Sequence, residues 1–479
     1  MQISSAGTHL SSSLLQTRRV SQRGCLDSLT ESQELVVPSV HTDSKTRTVE
    51  FPMLNRIDVN KISKEFDLIV IGGGINGCGI ARDASERGLK VLLLEKEDFG
   101  AGCTSASSRL IHGGLRYLEH FEFDLVRESL CEREILLNNA NHLVRPLELC
   151  IPIYSGDKRG YWTIKAGMLL YDLLSFDKSL PRHKMLSASG FSQYEPSVRQ
   201  DNLLGGAVYY DTQIAYAERL CVENAIMAKQ ESAVVLNHTE VVGVKTDSRK
   251  ISSVDFVDRL TGKQYSARGK YIVNVSGPWV DVLCGLVRSD LKKQIGGTKG
   301  SHIVIKKFDN GPRHALYVSA KSDGRPFFII PWQDYYLIGT TDIPYSGDLD
   351  HVRMDETERQ YLINEANRVL QSHRITASDV LFSCSGVRPL PCVDGKDPAE
   401  ITRRHILFDH EKEVPFAALE IITSFSTEEL AGRIYGNVEA IKEHPILYSM
   451  PSTGVDLLLQ RFPVFPSTAQ VFNLFARVK

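Results

Sequence analysis

The chain has 479 residues, 42% apolar and 24% charged, an ordinary globular balance that excludes disordered and fibrous classes. Lys and Arg total 56 against 58 Asp and Glu, a formal charge of -2, which leaves no basic footprint for nucleic acid. The length suits two or three units or one large α/β domain with insertions, and no run of about 18 apolar residues marks a spanning helix.

The first 26 residues hold no acid, while Arg18, Arg19 and Arg23 stand among Ser4, Ser5, Ser11, Ser12, Ser13 and Ser21. That composition resembles an organellar transit peptide and lacks the apolar core of a secretory signal. Residues 1–60 are read as a transit-like, disordered segment, with folding beginning near Phe66. Nine cysteines, odd in number and without a C-x-x-C, signal neither a zinc site nor a disulfide framework. They fit a reducing compartment, and no metal is expected.

Phe66 to Ile71 is a short apolar, β-rich run of the kind that makes a buried parallel strand. Gly72, Gly74 and Gly77 follow as G-x-G-x-x-G, then a helix over about Ile75 to Arg87, with Ile80 and Ala84 on one face and Gly88 as its stop. Lys90 to Leu94 is a second strand, ending at Glu95. Strand, glycines, helix, strand and acid in this register form a dinucleotide-binding fingerprint. Gly72 permits the tight turn, Gly74 lets the backbone approach a pyrophosphate, Gly77 lets helix and strand pack closely, and the helix N-terminus offers free N–H groups. Glu95 can accept hydrogen bonds from ribose hydroxyls. FAD and NAD share this pattern, so it does not choose between them.

The segment from Thr104 to Tyr117 is dense in hydroxyls and small residues and carries Arg109, His112 and Arg116. In isolation it reads as a flexible polar loop, but its place after Glu95, with Gly113 and Gly114 beside a histidine, suits backbone passing close to a bound cofactor. Further on, Val254 to Asp258, a turn at Thr261 and Gly262, and Tyr271 to Val275 suggest strands returning to the nucleotide domain, where Gly277 allows close approach. Phe327 to Trp332 and Tyr335 to Thr340, joined through Gln333 and Asp334, read as a hairpin in a largely antiparallel sheet over about 290–385. Asp355-x-x-Glu358 starts a helix with Leu362, Ala366 and Val369 as its apolar stripe, its charges read as a solvated face.

An ordered series of motifs ties these elements together: IGGGINGCGIARDA from Ile71, SSRLIHGGLRYLEH from Ser107, NVSGPWV from Asn274, KGSHIVI from Lys299, IIPWQDYYLIGTTD from Ile329, SGVRPL from Ser385 and AEITRRH from Ala399. From Phe66 to about Asp409 the chain resembles the FAD-dependent glycerol-3-phosphate dehydrogenases, quinone-linked relatives of the glycine and D-amino-acid oxidase type of flavoprotein. The resemblance implies FAD and an α/β fold: a Rossmann-like FAD-binding domain built from separated segments, with a mixed or antiparallel-sheet substrate domain, together spanning 61–410. It assigns Ile71, Gly72, Gly73, Gly74, Asn76, Gly77, Glu95, Lys96, Thr104, Ser105, Ser107, Ser108, His112, Gly113, Gly114 and Gly277 to cofactor contact. It places His112 and Arg116 at the substrate and has Arg388 and Arg403 hold the phosphate, with Arg404 as an adjacent competitor.

That chemistry asks for such residues. Oxidising the secondary alcohol sends its proton to a base and its C2 hydride to flavin N5, and a group that titrates near neutrality suits the first task. His112 is the preferred base and His302 the second candidate. A dianionic phosphate calls for fixed, always-charged forks, which Arg supplies and Lys does not, and Arg116 could also polarise a developing alkoxide.

After about His410 the chain departs from the family, which there returns a strand and a GGKLTTYR-like turn. Here ALEIITSFSTEELAG follows from Ala418. Residues 411–479 are therefore read as an atypical end, with a sheet edge left exposed and the flavin less covered. The expected function is oxidation of sn-glycerol 3-phosphate to dihydroxyacetone phosphate, electrons passing to ubiquinone at the mitochondrial inner membrane through peripheral contact, with plastid as the alternative location. An amino-acid or amine oxidase of the same superfamily and a non-catalytic truncated form are the competing readings.

Overall fold

The computed structural model of the chain describes residues 56–247, 250–287, 292–393, 401, 403, 405–409 and 419–425. Residues 1–55, Arg404 and the rest of the atypical C-terminal region lie outside these. Ordered structure begins earlier than Phe66. Arg56 forks onto both oxygens of Asp258 at 2.9 and 3.0 Å, and Val59 is buried.

The first sheet is built around Glu65–Ile71, paired in parallel with Val91–Leu94 on one side and Lys263–Asn274 on the other. Val234–Leu236 extends it beyond Val91–Leu94, again in parallel. Leu68, Ile69, Val70 and Leu92 are fully buried because both faces are covered, which explains why the strands read as continuous apolar runs. The helices Ile75–Glu86 and Ala217–Gln230 cover one face through Ala81, Ala84, Ala225 and Ala228. The other face meets the hairpin of Thr239–Asp247 and Lys250–Asp258 and the helix Val280–Val287. Gly262, at φ +70°, turns the chain between Asp258 and Lys263 as expected.

The sequence reading of an exposed edge at the C-terminal side is corrected. Leu419–Phe425 returns to the sheet in parallel with Lys263–Asn274, Leu419 opposite Ile272, and His405–Asp409 pairs antiparallel beyond it. The family's glycine-rich turn is absent from the sequence, but a strand still covers the edge.

The second sheet runs in the order Thr298–Lys306, Tyr335–Gly339, Pro326–Trp332, Ala315–Ser319, Val144–Tyr154 and Leu203–Ile214, antiparallel except where Ala315 and Leu316 meet Leu149 and Cys150. It thus draws strands from before residue 290 as well. The expected hairpin is present, with Trp332 opposite Tyr335 and Gln333 at φ +56° in its turn. Alternation sorts its two faces: Ile303 and Ile305 pack on the helix Glu356–Val369, while Val304 joins the opposite cluster with the helices Phe123–Asn139 and Tyr161–Leu174. Both halves of the Asp355–Glu358 capping box form, and Leu362, Ala366 and Val369 are buried.

Candidate active site

Gly72 turns the chain at φ +113°, and a Cβ there would lie 2.5 Å from the Val275 carbonyl oxygen. A Cβ at Gly77 would stand 1.7 Å from the Gly72 oxygen, so the helix starts against the turn only because glycine occupies that position. Gly74 differs: a side chain there would meet only the Thr104 hydroxyl, 3.7 Å away. That open side adjoins the helix start, where the N–H groups of Asn76 and Gly77 have no partner within the helix and Ile75 N–H reaches Thr104 Oγ1 at 3.3 Å. Glu95 accepts the Gly73 N–H on Oε2 at 2.6 Å and the Glu97 N–H on Oε1 at 2.8 Å. Burial pushes its pKa up and those bonds only partly offset it. An open cradle, free helical N–H groups and an acid at the second strand's tip fit the adenine-nucleotide half of a dinucleotide.

Gly277 sits at φ +59° with no atom within 4 Å of a would-be Cβ, so space remains beside the third strand. The Lys96 ammonium pairs with Asp350 and lies 4.3 Å from the Trp279 ring.

The polar loop is ordered by its own hydroxyls. Ser105 Oγ donates to the Ala101 and Gly102 carbonyls at 2.7 and 2.9 Å, and Ser107 Oγ accepts the Arg109 N–H at 3.3 Å. Arg109 forks onto Glu218 at 2.7 and 2.8 Å. Ser108 reaches out of the loop, its Oγ 2.8 Å from Nε2 of His302.

The two histidines have different surroundings. His302 is buried, its Nδ1 has no partner among the described residues, and its pKa is pushed down to about 3 by burial first, then by Arg388 and Arg109. Its ring is therefore neutral. His112 accepts the Gly114 N–H on Nδ1 at 2.9 Å, and burial lowers its pKa as well. A neutral ring that accepts on Nδ1 carries its proton on Nε2, so His112 is a donor at that atom.

The loop beside His112 is anchored from below. Tyr171, on the helix Tyr161–Leu174, accepts the Gly113 N–H at 2.8 Å and donates to Asp211 at 2.9 Å. Asp211 in turn pairs with Arg133 at 2.5 Å, both side chains buried.

Strand register gathers the remaining predicted residues. Val380–Arg388 lies antiparallel to Thr298–Lys306, setting Arg388 opposite Thr298, Gly386 opposite Gly300 and Cys384 opposite His302. On its other side His302 faces Gly339, after which Thr340, Thr341 and Asp342 follow. Arg388 donates to Asp342 Oδ1 at 3.0 Å and to Thr340 Oγ1 at 2.9 Å, while Arg403 reaches Asp342 Oδ2 at 3.4 Å. The Arg388 guanidinium lies over Gly300, where a Cβ would come within 2.3 Å of it. Tyr117 is pushed up by burial and pulled down by Arg403, Arg116 and Arg388, so all three arginines bear on one phenol.

Sequence reasoning missed Asp342, Tyr117, Gly300 and the Tyr171–Asp211–Arg133 support. The first three stood inside recognised motifs, where an acid, a phenol and a small residue beside predicted arginines were the available signal. The charges of the capped helix were misread. Glu358 is buried, not solvated, and takes Lys299 Nζ at 2.7 Å, Ser301 Oγ at 2.8 Å and Thr341 Oγ1 at 2.7 Å. It braces the strand that carries His302 against the segment that carries Asp342.

Residues 67–410 match the family described as FAD dependent oxidoreductase. The chain is 49% identical over 389 residues to a glycerol-3-phosphate dehydrogenase of Synechocystis sp., covering 78% of this chain and 70% of that one. It is 41% identical over 374 residues to a D-erythritol 1-phosphate dehydrogenase of Brucella abortus, covering 77% and 72%. Among solved structures, that of the glycerol-3-phosphate dehydrogenase from Bacillus halodurans complexed with FAD matches with a TM-score of 0.61 and 31% identity, covering 86% of this chain and 71% of that one. The chain spans less than two thirds, 63–64%, of the length of staphylococcal relatives that it also matches.

Proposed function

We propose that this chain, which belongs to the FAD-dependent oxidoreductase family and within it to the glycerol-3-phosphate dehydrogenases, oxidises sn-glycerol 3-phosphate to dihydroxyacetone phosphate. The observation that carries the reading is the meeting of Arg388 and Arg403 on the one carboxylate of Asp342. Two permanently charged forks against one acid leave net positive charge, which suits a phosphate dianion. The carboxylate of an amino acid would need one such fork and an apolar pocket.

FAD, when bound, supplies the two-electron acceptance that no side chain here can supply. Residues 72–77 and Glu95 would hold its adenine-nucleotide half, Gly277 would leave room for it beside the third strand, and Ser108 and His112 to Gly114 would line the flavin. Arg388, Arg403, Arg116 and Tyr117 fix the phosphate and so orient the secondary alcohol. His302 replaces His112 as the preferred base. Its Nε2 bonds Ser108 Oγ and its Nδ1 has no partner among the described residues, and the neutral ring has one nitrogen lone pair to take the hydroxyl proton. Its low pKa has a built-in relief, because a phosphate on Arg388 offsets one of the cations that depress it. His112, a donor at Nε2, opposes the negative charge that develops on the substrate oxygen.

The test is anaerobic addition of sn-glycerol 3-phosphate to the FAD-loaded chain, followed by the visible flavin bands. Bleaching by this substrate, but not by amino acids, is the expected result; bleaching by D-erythritol 1-phosphate alone would move the substrate to a longer polyol phosphate. Persistent bands with every phosphate would sink the reading. Leu419–Phe425 pairs with the sheet, but the GGKLTTYR-like motif whose loss motivates a non-catalytic form is absent, and a chain that retains no FAD would favour that form.

We assign the electrons to ubiquinone, reached by peripheral contact with the mitochondrial inner membrane. The acid-free, Arg- and Ser-rich start of the chain supports the organelle, and no helix among the described residues is long and apolar enough to cross a membrane. Fractionation of cells expressing the full chain tests this: recovery with mitochondrial membranes is expected, and recovery in plastids or a soluble fraction would overturn it.

A further inference from the structure

Glu148 and Cys150 lie two apart on the strand Val144–Tyr154, so their side chains fall on one face of it. That strand meets Ala315–Ser319 in parallel, registered through Leu149 with Ala315 and Cys150 with Leu316, which sets His314 beside Glu148 where the pairing starts. Cys150 Sγ, one carboxylate oxygen of Glu148 and one ring nitrogen of His314 all lie within 4.8 Å of one another. His314 Nε2 stands 3.5 Å from Glu148 Oε1, close to the roughly 3.4 Å that separates two ligands held about 2.1 Å from one tetrahedral ion. Cys150 is a free, fully buried cysteine, while Glu148 and His314 are partly exposed, so an ion can enter from solvent.

The groups around this trio hold it as metal ligands are held. His314 Nδ1 pairs with Glu195 Oε2 at 2.8 Å, and the same carboxylate accepts the N–H groups of Arg313 and His314 at 3.2 and 3.1 Å and the Ser197 hydroxyl at 2.6 Å. A carboxylate on one ring nitrogen fixes the ring so that the other nitrogen faces a metal, and raises its basicity. Tyr210 donates to Glu148 Oε2 at 2.6 Å, Tyr194 donates to Oε1, and the Tyr194 ring stacks on His314 with centroids 5.1 Å apart. Each Glu148 oxygen keeps a second lone pair for an ion. Two carboxylates and a thiol thus share one small region, with the Arg313 charge acting on His314 from the adjoining residue.

We propose that Cys150, His314 and Glu148 form a zinc site that ties the two strands together at their short parallel junction. A thiolate, an imidazole and a carboxylate are ligand types that Zn²⁺ takes, and the thiolate selects against Mg²⁺ and Ca²⁺. The fourth position, on the partly exposed side, is left to water. Burial and the two carboxylates keep the free thiol protonated; a dication among them reverses that balance, and the proton leaves to solvent. No C-x-x-C spacing announces the site, because strand register gathers its ligands from positions far apart in sequence. None of the three residues belongs to the set placed against FAD or the substrate phosphate, so the site stands independently of the function proposed above.

The test uses the FAD-loaded full chain, stripped with a chelator under thiol reductant and titrated near neutral pH with Zn²⁺ alone or Co²⁺ alone. One equivalent of Zn²⁺ is expected to bind and to raise the melting temperature, with Mg²⁺ and Ca²⁺ failing to compete. Co²⁺ should give a thiolate charge-transfer band in the near-ultraviolet difference spectrum and d–d bands to the red of the flavin. Cys150→Ala should abolish the charge-transfer band. His314→Asn should weaken Zn²⁺ binding about 100-fold or more, beyond the roughly 10- to 100-fold that a lost outer partner costs. The metal-free chain keeps the His314–Glu195 ion pair by itself, so melting temperatures without metal give the baseline for each protein. No saturable binding, or binding that both variants leave unchanged, would mean an adventitious ion only and overturn the site. Co²⁺ bound without the charge-transfer band would remove Cys150 as a ligand and the site with it. The wild-type spectrum decides this last point even where Cys150→Ala fails to fold.

Discussion

Arg388 and Asp342 meet at 3.0 Å across the end of the strand that carries His302, and Arg403 closes on the same carboxylate. The pair holds a phosphate fork in place before any phosphate arrives, which lowers the ordering cost of binding. Asp342 is buried, so the position of its carboxylate is set by the fold rather than by solvent.

Arg388→Ala is expected to raise the KM for sn-glycerol 3-phosphate about 30- to 150-fold, from the loss of about 2–3 kcal/mol of charge-assisted hydrogen bonding. Arg388→Lys should fall between, since it keeps the charge and loses the fork. Steady-state kinetics with a soluble dye acceptor measure both, and an unchanged KM in the alanine variant would remove Arg388 from the phosphate site.

The two histidines separate by pH. His302→Ala should slow flavin reduction about 10²- to 10⁴-fold, the span for a lost general base. In the wild-type enzyme the base must be unprotonated, so activity falls as pH drops through its pKa. Because phosphate offsets Arg388, that pKa is higher in the substrate complex, and the acid limb of kcat should lie at higher pH than that of kcat/KM. His112→Ala should cost about 10- to 100-fold and leave the acid limb in place, as expected of a lost donor. Coincident limbs, or a limb that moves with His112, would reverse the assignment.

What the sequence made legible were features written in neighbouring residues. The glycine turn, its flanking strands and the Asp355–Glu358 capping box are local patterns, and each formed where expected. The misread features depend on register between distant segments. Glu358 looked solvated because its partners, Lys299 and Ser301, sit on a strand far away in sequence. Arg56 was left in the unstructured start because Asp258 lies two hundred residues on. The tautomer of His112 follows from one backbone N–H, which no sequence pattern reports. The C-terminal strand was discounted because the family's glycine-rich motif was absent, although Leu419 to Phe425 is itself a β-rich run able to extend a parallel sheet.

Tyr171→Phe removes the hydroxyl that accepts the Gly113 N–H and leaves the Arg133–Asp211 pair in place. A buried N–H without an acceptor costs about 1–3 kcal/mol, so the variant should fold, lose stability by about that amount and release FAD more readily. Arg133→Met should be worse, about 3–5 kcal/mol, because it strands the Asp211 charge in the core. Urea unfolding with FAD fluorescence as a second signal measures both, and a Tyr171→Phe protein with wild-type FAD retention would show that the loop does not need this anchor.

Away from the site, His314 Nδ1 and buried Glu195 Oε2 pair at 2.8 Å, with Glu148 3.5 Å from the other ring nitrogen and Cys150 close by. The Glu195 hydrogen bond raises the His314 pKa above its ordinary 6.5, against the effect of burial. For Glu195 burial pushes upward, but the bonds from His314 and Ser197 outweigh it and the pKa falls below 4.5. A raised histidine contributes stability fully below its unfolded value and loses it as pH rises through its folded value; a lowered carboxylate contributes above its unfolded value and loses it as pH falls. The pair therefore acts at full strength between 4.5 and 6.5. His314→Asn should destabilise the chain by about 1–2 kcal/mol near pH 5.5, and the difference from wild type should shrink steadily above about pH 7. Urea midpoints measured at both ends of that range decide it: a gap that stays constant, or widens with pH, would mean that His314 is held neutral and contributes by packing alone.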